Sequence, residues 1–164
     1  MRKTTWILTL LSFIYVHVEC GHSIASQSLT MSISSTSNIT TSGNPGTLTI
    51  SLDSTGSGSA TDSSTTYTVT SNSNASGTLQ IVGAITSGDN MPSNTCLTAT
   101  LASNAGTSLG PVELCSTAAT LVNELPTLLN DTAAITYTFR VINGWTVSSQ
   151  ALSRTVTLTL TAGS

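Results

Sequence analysis

The sequence predicts an all-β protein, a single antiparallel β-sandwich of about seven to eight strands. Three observations carry this prediction. Apolar and hydroxyl side chains alternate with a period of two along short runs, as in TLTISL (47–52) and RTVTLTLT (154–161). β-branched residues fill the runs, while Gly, Asn, Asp and Pro separate them. No apolar pattern of helical period extends beyond about two turns, which favours two packed sheets over a helical or mixed fold.

Eight runs carry the strand pattern. In chain order they are 28–34, 47–52, 65–71, 78–85, 96–102, 110–115, 134–142 and 154–161. Residues 53–64 (DSTGSGSATDSS) are predicted to be a loop, and 120–131 either one helical turn before Pro126 or an apolar loop. In each run the apolar row is expected to face the core and the Ser/Thr row the solvent. A glycan-attachment or ice-binding array is the alternative reading of the hydroxyl rows, although no repeat of fixed length supports it.

The last run predicts how the sandwich closes. Val156, Leu158 and Leu160 form its inward row, and four threonines form its outward row. We expect this strand either in a central position beside 134–142 or at an edge guarded by Arg154. Arg140 and Arg154 lie in the two final runs, where an outward charge discourages edge pairing.

The first 25 residues have the pattern of a signal peptide. Arg2 and Lys3 precede an apolar run at 6–16, and small residues at Ser23 and Ala25 suit a signal peptidase. The alternatives are earlier cleavage, with Val18 and Cys20 at the two positions that the peptidase reads, and lipid modification at Cys20. No later stretch approaches the roughly 20 apolar residues of a transmembrane helix. Residues 26–164 are therefore predicted to be one secreted domain, periplasmic, extracellular or held at the cell surface, with no transmembrane span.

The charge inventory excludes several functions. After Ala25 the chain has two arginines, no lysine, no histidine and six acids, a balance of 2 − 6 = −4. Nucleic-acid binding needs a basic stripe, which two arginines cannot form. Serine catalysis needs a histidine or lysine base, and neither residue follows Ala25. A paired-carboxylate glycosidase would have to use acids scattered through predicted turns. The chain is expected to have no catalytic residues and to be no enzyme.

Cys96 and Cys115 are the two cysteines that remain after Ala25. In an oxidising compartment an even pair predicts a disulfide, which would close a loop of about 20 residues worth roughly 3 kcal/mol. Two free buried thiols are the alternative. Zinc is disfavoured because two cysteines without histidine cannot complete four ligands.

Three further features have a structural and a functional reading. The loop motifs at 87–90 (SGDN) and 130–132 (NDT) lack calcium-loop spacing and are expected to be turns, so no metal or cofactor is predicted. The sequons at Asn38, Asn74 and Asn130 matter only in a host that glycosylates asparagine. Trp145, after a predicted Asn-Gly turn, either covers the end of the core or contacts a ligand.

The segments TTYTVTSNSNASGTLQIVGAI (65–85) and AITYTFRVINGW (134–145), with the closing SRTVTLTLTA (153–162), carry a resemblance. Together with the scarcity of lysine, they resemble bacterial fimbrial-subunit-like and spore-coat-U-like secreted proteins. The resemblance implies an immunoglobulin-like sandwich that is built into surface fibres or coats. The chain differs from pilins in placing both cysteines past its middle and in lacking a penultimate aromatic residue.

We therefore expect a non-enzymatic structural subunit of a surface appendage or coat, with copies of itself or related subunits as partners. Its run at 28–34 is predicted to be either a first strand or a strand donated to a neighbour, with Leu29, Met31 and Ile33 filling pockets. The alternative is a monomeric secreted module that binds a carbohydrate or host surface, with Trp145 as a ligand contact.

Overall fold

The computed structural model describes residues 30–32, 34–73, 77–86, 91–114, 117–142 and 152–163. Over these ranges the protein is all-β. The strands are β1 (Ser37–Thr41), β2 (Gly58–Asn72), β3 (Leu79–Ile85), β4 (Thr95–Leu101), β5 (Thr107–Ser108), β6 (Val112–Glu113), β7 (Ala119–Leu125), β8 (Leu128–Val141) and β9 (Val156–Ala162). The chain divides into two units, 1–32 and 33–164, and the second unit holds all nine strands.

Two antiparallel sheets pack against each other, which confirms the predicted β-sandwich. Sheet A has the strand order β1-β2-β8-β4-β6, and sheet B has the order β5-β7-β3-β9. The β2–β8 ladder is the longest pairing, from Gly58 opposite Val141 to Asn72 opposite Leu128. Its register shifts once, between Asp62 and Thr65, where a bulge bends the long strand.

The core is apolar and lies between the sheets. Its fully buried side chains come from β2, β3, β4, β7 and β8 and from the residue after β6: Tyr67, Val69, Ile81, Leu101, Leu114, Leu121, Val122, Leu125 and Ile135. Each such residue contributes roughly 1.5–3 kcal/mol through burial. The Tyr67 hydroxyl donates to the Ala102 carbonyl at 2.6 Å, so the one polar atom of that side chain is satisfied. Gly83 has no room for a side chain, since a Cβ there would lie 2.6 Å from Leu121 Cδ1.

Several sequence predictions about elements are wrong. Residues 47–52 form no strand and lie beside the start of β2, where a Cβ on Gly58 would lie 2.6 Å from the Ser51 carbonyl oxygen. Residues 58–64, predicted as loop, belong to β2, because pairing with β8 overrides their turn-like composition. Residues 120–131 are neither helical nor a loop but form most of β7 and the start of β8.

Other elements differ in extent or place. Of the predicted strand 110–115, two residues form β6, and of the run 28–34, the described residues 30–32 and 34 have no regular secondary structure. The motif at 130–132 lies inside β8 and is not a turn. Arg140 lies on β8, which pairs on both sides, so the expectation that it protects an edge is wrong.

The outward rows of sheet A are hydroxyl-rich, as the alternation predicts. Facing threonines hydrogen-bond across the β2–β8 ladder, with Oγ1–Oγ1 distances of 3.0 Å for Thr61 and Thr138 and 2.8 Å for Thr68 and Thr132. These two threonine pairs stabilise the sheet from its solvent side. On the inward face, the hydroxyls of Ser37 and the buried Ser71 hydrogen-bond between β1 and β2 at 2.9 Å.

Candidate functional site: the outer edge of the last strand

β9 is an edge strand of sheet B. It pairs with β3 from Leu79 opposite Ala162 to Ile85 opposite Val156, without a register shift. The edge alternative for the last strand is therefore correct, and the alternative beside 134–142 is wrong. No described strand pairs with the outer side of β9.

The register fixes which backbone groups of β9 face that outer side. Thr86 N–H donates to the Thr155 carbonyl at 2.9 Å, and Gly163 N–H donates to the Thr78 carbonyl at 2.7 Å. Because backbone groups alternate in direction along an antiparallel strand, the odd-numbered residues of β9 bond to β3. The N–H and C=O groups of Val156, Leu158, Leu160 and Ala162 therefore point away from β3. We call this row of eight backbone groups the open edge.

The side chains of β9 make the open edge suitable for pairing. Residues 156–162 (VTLTLTA) contain no charge and no proline. The inward row of Val156, Leu158 and Leu160 packs against the core but is only half-buried. Charge, proline and bulges are devices by which natural edges avoid pairing with other chains, and the described strand β9 has none of the three.

Arg154 does not change the character of this strand. The residue precedes β9 by two positions, and its Nη1 donates to the Ser153 carbonyl at 2.8 Å. The charge that was predicted to discourage edge pairing therefore precedes the paired residues of β9 and is not one of them.

The other edge strands differ from β9. β1 packs against β9 from the opposite sheet, and its inward residues are Ser37, Ile39 and Thr41, which leaves a single aliphatic side chain. β5 and β6 have two residues each. We call the side of the sandwich formed by β1 and β9 the open side, and that formed by β5 and β6 the closed side.

The predicted assembly residues are only partly described. Leu29 and Ile33 lie outside the described residues. Met31 is 82% exposed and belongs to no strand. After it, Thr36 Oγ1 and the Ser34 carbonyl bond to the Asn72 side chain at 3.1 and 3.5 Å, and β1 begins at Ser37. The described part of run 28–34 is thus not the first strand of the sandwich.

The carboxylates are dispersed over the fold, and each described one has a local partner. Two lie in or beside β2 and cap turns, and three accept from side chains of neighbouring strands or loops. The pairs are Asp53 with Thr55 and Ser57, Asp62 with Ser64, Glu113 with Arg140 at 3.0 Å, Glu124 with Thr107 at 2.7 Å, and Asp131 with Asn104 at 2.8 Å. Their expected location in turns is wrong for four of the five, because only Asp53 lies outside a strand.

Hydrogen bonds also set the acidity of two of these groups. The Thr55 hydroxyl, followed by the Ser57 and Thr55 N–H groups, holds the pKa of Asp53 below its usual value. The Ser64 hydroxyl and N–H, with the Gly46 N–H, do the same for the pKa of Asp62. These hydrogen bonds thus stabilise the charged form of both carboxylates, which makes them weaker proton acceptors than a free aspartate.

A shallow hollow lies at one end of sheet A. It has a volume of about 390 Å³ and is lined by Asp53, Ser57, Gly58, Ser59, Arg140, Val141 and Ile142. Asp53 already accepts from its own turn and Arg140 bonds to Glu113, so the two charges of the hollow have partners. Trp145, the predicted ligand contact, lies outside the described residues.

The structure describes one of the two cysteines of the predicted disulfide. Cys96 is buried on β4, and Cys115 lies outside the described residues. Glu113 is opposite Thr98, and Leu114 N–H donates to the Leu97 carbonyl at 2.8 Å. The described β4–β6 ladder thus ends one residue before Cys115, and the disulfide stays a prediction.

Two other kinds of site are absent from the described ranges. No three His, Cys, Asp or Glu residues there come together as a metal-binding group. No helix among the described residues is long and apolar enough to cross a membrane. The open edge of β9 is consequently the described feature that suits recognition best.

Sequence reasoning placed the inward row of β9 but did not identify its backbone groups as a site. The signal was present in the absence of charge from 156–162. Sequence reasoning missed it because the neighbouring strand decides which backbone groups of an edge strand face outward.

No protein-family model, curated protein or solved structure matches this chain.

Proposed function

We propose that the protein is a non-enzymatic structural subunit that assembles with copies of itself through sheet edges. The observation that carries the proposal is the open edge of β9. It offers four N–H donors and four C=O acceptors on a strand without charge, proline or bulge. Strand addition at such an edge obtains affinity from backbone bonds and specificity from alternate side chains.

The carboxylates support a structural role. A catalytic acid or base needs a pKa near the working pH, whereas the pKa values of Asp53 and Asp62 are lowered. All five described acids are engaged in contacts that connect turns or strands. On the outer face of sheet A, the threonine hydroxyls hydrogen-bond to one another and add rigidity. The described residues of this face do not place a catalytic base beside a nucleophile.

Placement at a cell surface or coat rests on the sequence. The signal-peptide pattern of residues 1–25 and the resemblance to fimbrial-subunit-like and coat proteins favour an exported protein. The predicted disulfide between Cys96 and Cys115 suits the same oxidising compartment. A donated segment is one joint that such a subunit could use, and the exposure of Met31 supports it.

Sedimentation velocity over a wide concentration range tests the proposal. We expect dimers or higher assemblies whose fraction grows with concentration, and ordered particles by negative-stain microscopy at the highest concentration. A protein that stays monomeric throughout would contradict a structural subunit and favour the binding-module alternative.

A matched pair of variants tests the donated segment within this proposal. Deletion of residues 26–36 removes the whole segment, and Met31→Asp keeps its length but places a charge in the apolar row. Donation predicts SDS-resistant ladders in the parent protein that both variants lose. Ladders of unchanged length in both would exclude this joint.

A further inference from the structure

We propose that the open edge of β9 binds the same edge of a second copy, antiparallel and about a two-fold axis that passes through Thr159. The inference rests on the proposed function and specifies its contact. It joins the two four-stranded sheets into one sheet of eight strands. The contact is isologous, so the same residues are used by both copies.

The alternation of backbone groups restricts the register. Both copies present their N–H and C=O groups at the even-numbered residues, so even-numbered residues must lie opposite each other. The register with Val156 opposite Ala162 and Leu158 opposite Leu160 of the second copy uses all four residues on each strand. Sliding one copy by two residues keeps the pattern but loses one of the four pairs. The full register is therefore the most favourable.

The same register aligns the side chains. Leu158 and Leu160 of the two copies meet on the inward side, where both residues are half-buried. Pairing removes their remaining apolar surface from water, which favours association. On the outward side, threonines meet threonines, the exposed Thr157 opposite the half-buried Thr161 and the exposed Thr159 opposite itself. No charge lies within residues 156–162 to oppose the contact.

β9 suits this contact better than the other edges. β1 is shorter, with five residues, and its inward row has only Ile39 between Ser37 and Thr41. β5 and β6 are too short to offer more than one residue facing outward each. Among the described edges, β9 alone combines length, continuous register and an apolar row.

A cysteine at the two-fold axis tests the register. Thr159 would lie opposite itself in a non-hydrogen-bonded pair, where Cα atoms are about 4.5 Å apart, within the range of a disulfide. Thr159→Cys should therefore form a disulfide-linked dimer under mild oxidation. Thr157→Cys is the matched control, because its two copies would be about 13 Å apart along the strands. Both positions are exposed on the same face of the same strand.

Thr159→Lys provides a second measurement without oxidation. Two lysines placed directly opposite each other repel, and we expect the dimer dissociation constant to rise by up to about fivefold. Thr157→Lys, opposite Thr161, should weaken the dimer less. Far-UV circular dichroism checks that all four variants keep the strand content of the parent protein.

The outcomes separate the contact from the function. Selective cross-linking of Thr159→Cys, retained after deletion of residues 26–36, supports the β9 contact. Equal cross-linking at both positions, or none at either, overturns it. If assembly by sedimentation persists while Thr159→Cys fails to cross-link, the proposed function stands and this contact is wrong. Loss of the cross-link on deletion of 26–36 would favour a donated segment at the edge and also overturn the contact.

Discussion

The open side and the closed side of the sandwich end their sheets in different ways. On the closed side, β5 and β6 are two residues long, and Glu113 and Glu124 on that side bond to Arg140 and Thr107. On the open side, β9 has seven residues, no charge and a half-buried apolar row. Short, charged edges resist pairing with other chains, whereas long neutral ones favour it. The difference indicates that the fold blocks one side and leaves the other available.

The largest expected effect comes from truncating a leucine of β7, the neighbour of the closed-side strand β5, and a leucine of β9 on the open side. Leu121 in β7 is fully buried, and Leu158 in β9 is half-buried. Leu121→Ala should lower the free energy of unfolding by about 2–5 kcal/mol, because it removes apolar contacts and leaves a cavity. Leu158→Ala should cost about half as much, because water already reaches its side chain.

Urea denaturation at concentrations that keep the protein monomeric measures both variants. Similar losses would mean that the open side is as tightly packed as the closed side. That result would remove the contrast on which the proposed contact depends.

The second effect concerns the predicted disulfide, which would link β4 to the chain just after β6. Removing a Cys96–Cys115 disulfide should lower the free energy of unfolding by about 3 kcal/mol, through the entropy of a loop of about 20 residues. Denaturation of the double variant Cys96→Ser/Cys115→Ser and of the reduced parent should then give matching losses. An unchanged stability on reduction would show that no such bond stabilises the closed side.

A smaller effect tests backbone strain on the closed side. Glu124 in β7 has a φ of 57°, in the left-handed region that a residue with a Cβ rarely adopts. Glu124→Gly should be more stable than Glu124→Ala by about 1 kcal/mol, because both lose the bond to Thr107 and only glycine relieves the strain. Thermal denaturation of the pair measures the difference, and equal midpoints would argue against strain at Glu124.

The smallest effect is a local pH dependence at the segment beside β2. The pKa values of Asp53 and Asp62 are lowered in the folded protein, so their contribution to stability is present above the usual aspartate pKa. It is lost as the pH falls below about 4 and through the folded pKa values. The amides of Ser57 and Ser64 donate to these carboxylates, and their protection from exchange, relative to the intrinsic rate at each pH, should fall over that range.

Asp53→Asn/Asp62→Asn provides the control for this dependence. Asparagine keeps the acceptor oxygen but does not titrate, so the protection of the Ser57 and Ser64 amides, relative to the intrinsic rate, should no longer depend on pH. Equal acid dependence in the parent and the variant would show that other groups hold these turns.

The sequence predicted the layers of this fold better than its edges. Period-two alternation identified β3, β4 and β9 to within one or two residues, because one face of each strand meets the core. It failed for 120–125, where Leu121 and Val122 are both buried beside a register shift, so that the alternation is broken. It also failed for 47–52, which has the right alternation but makes no strand.

The candidate site was less accessible to sequence reasoning. The row Val156, Leu158 and Leu160 was predicted to face inward, and it does. That β9 pairs with β3 and stands at an edge depends on contacts between residues about 75 positions apart, which local patterns do not encode. Of the two predicted placements of this strand, the edge is therefore correct and the position beside 134–142 is wrong.

Amide hydrogen exchange along β9 tests the open edge most directly. In the monomer, the N–H groups of Thr157, Thr159 and Thr161 bond to β3 and should exchange slowly, whereas those of Leu158, Leu160 and Ala162 should exchange fast. As the protein concentration rises, the second group should become protected and the first should change little. Protection of all six amides at every concentration, or fast exchange of the second group at every concentration, would contradict pairing of two copies at this edge.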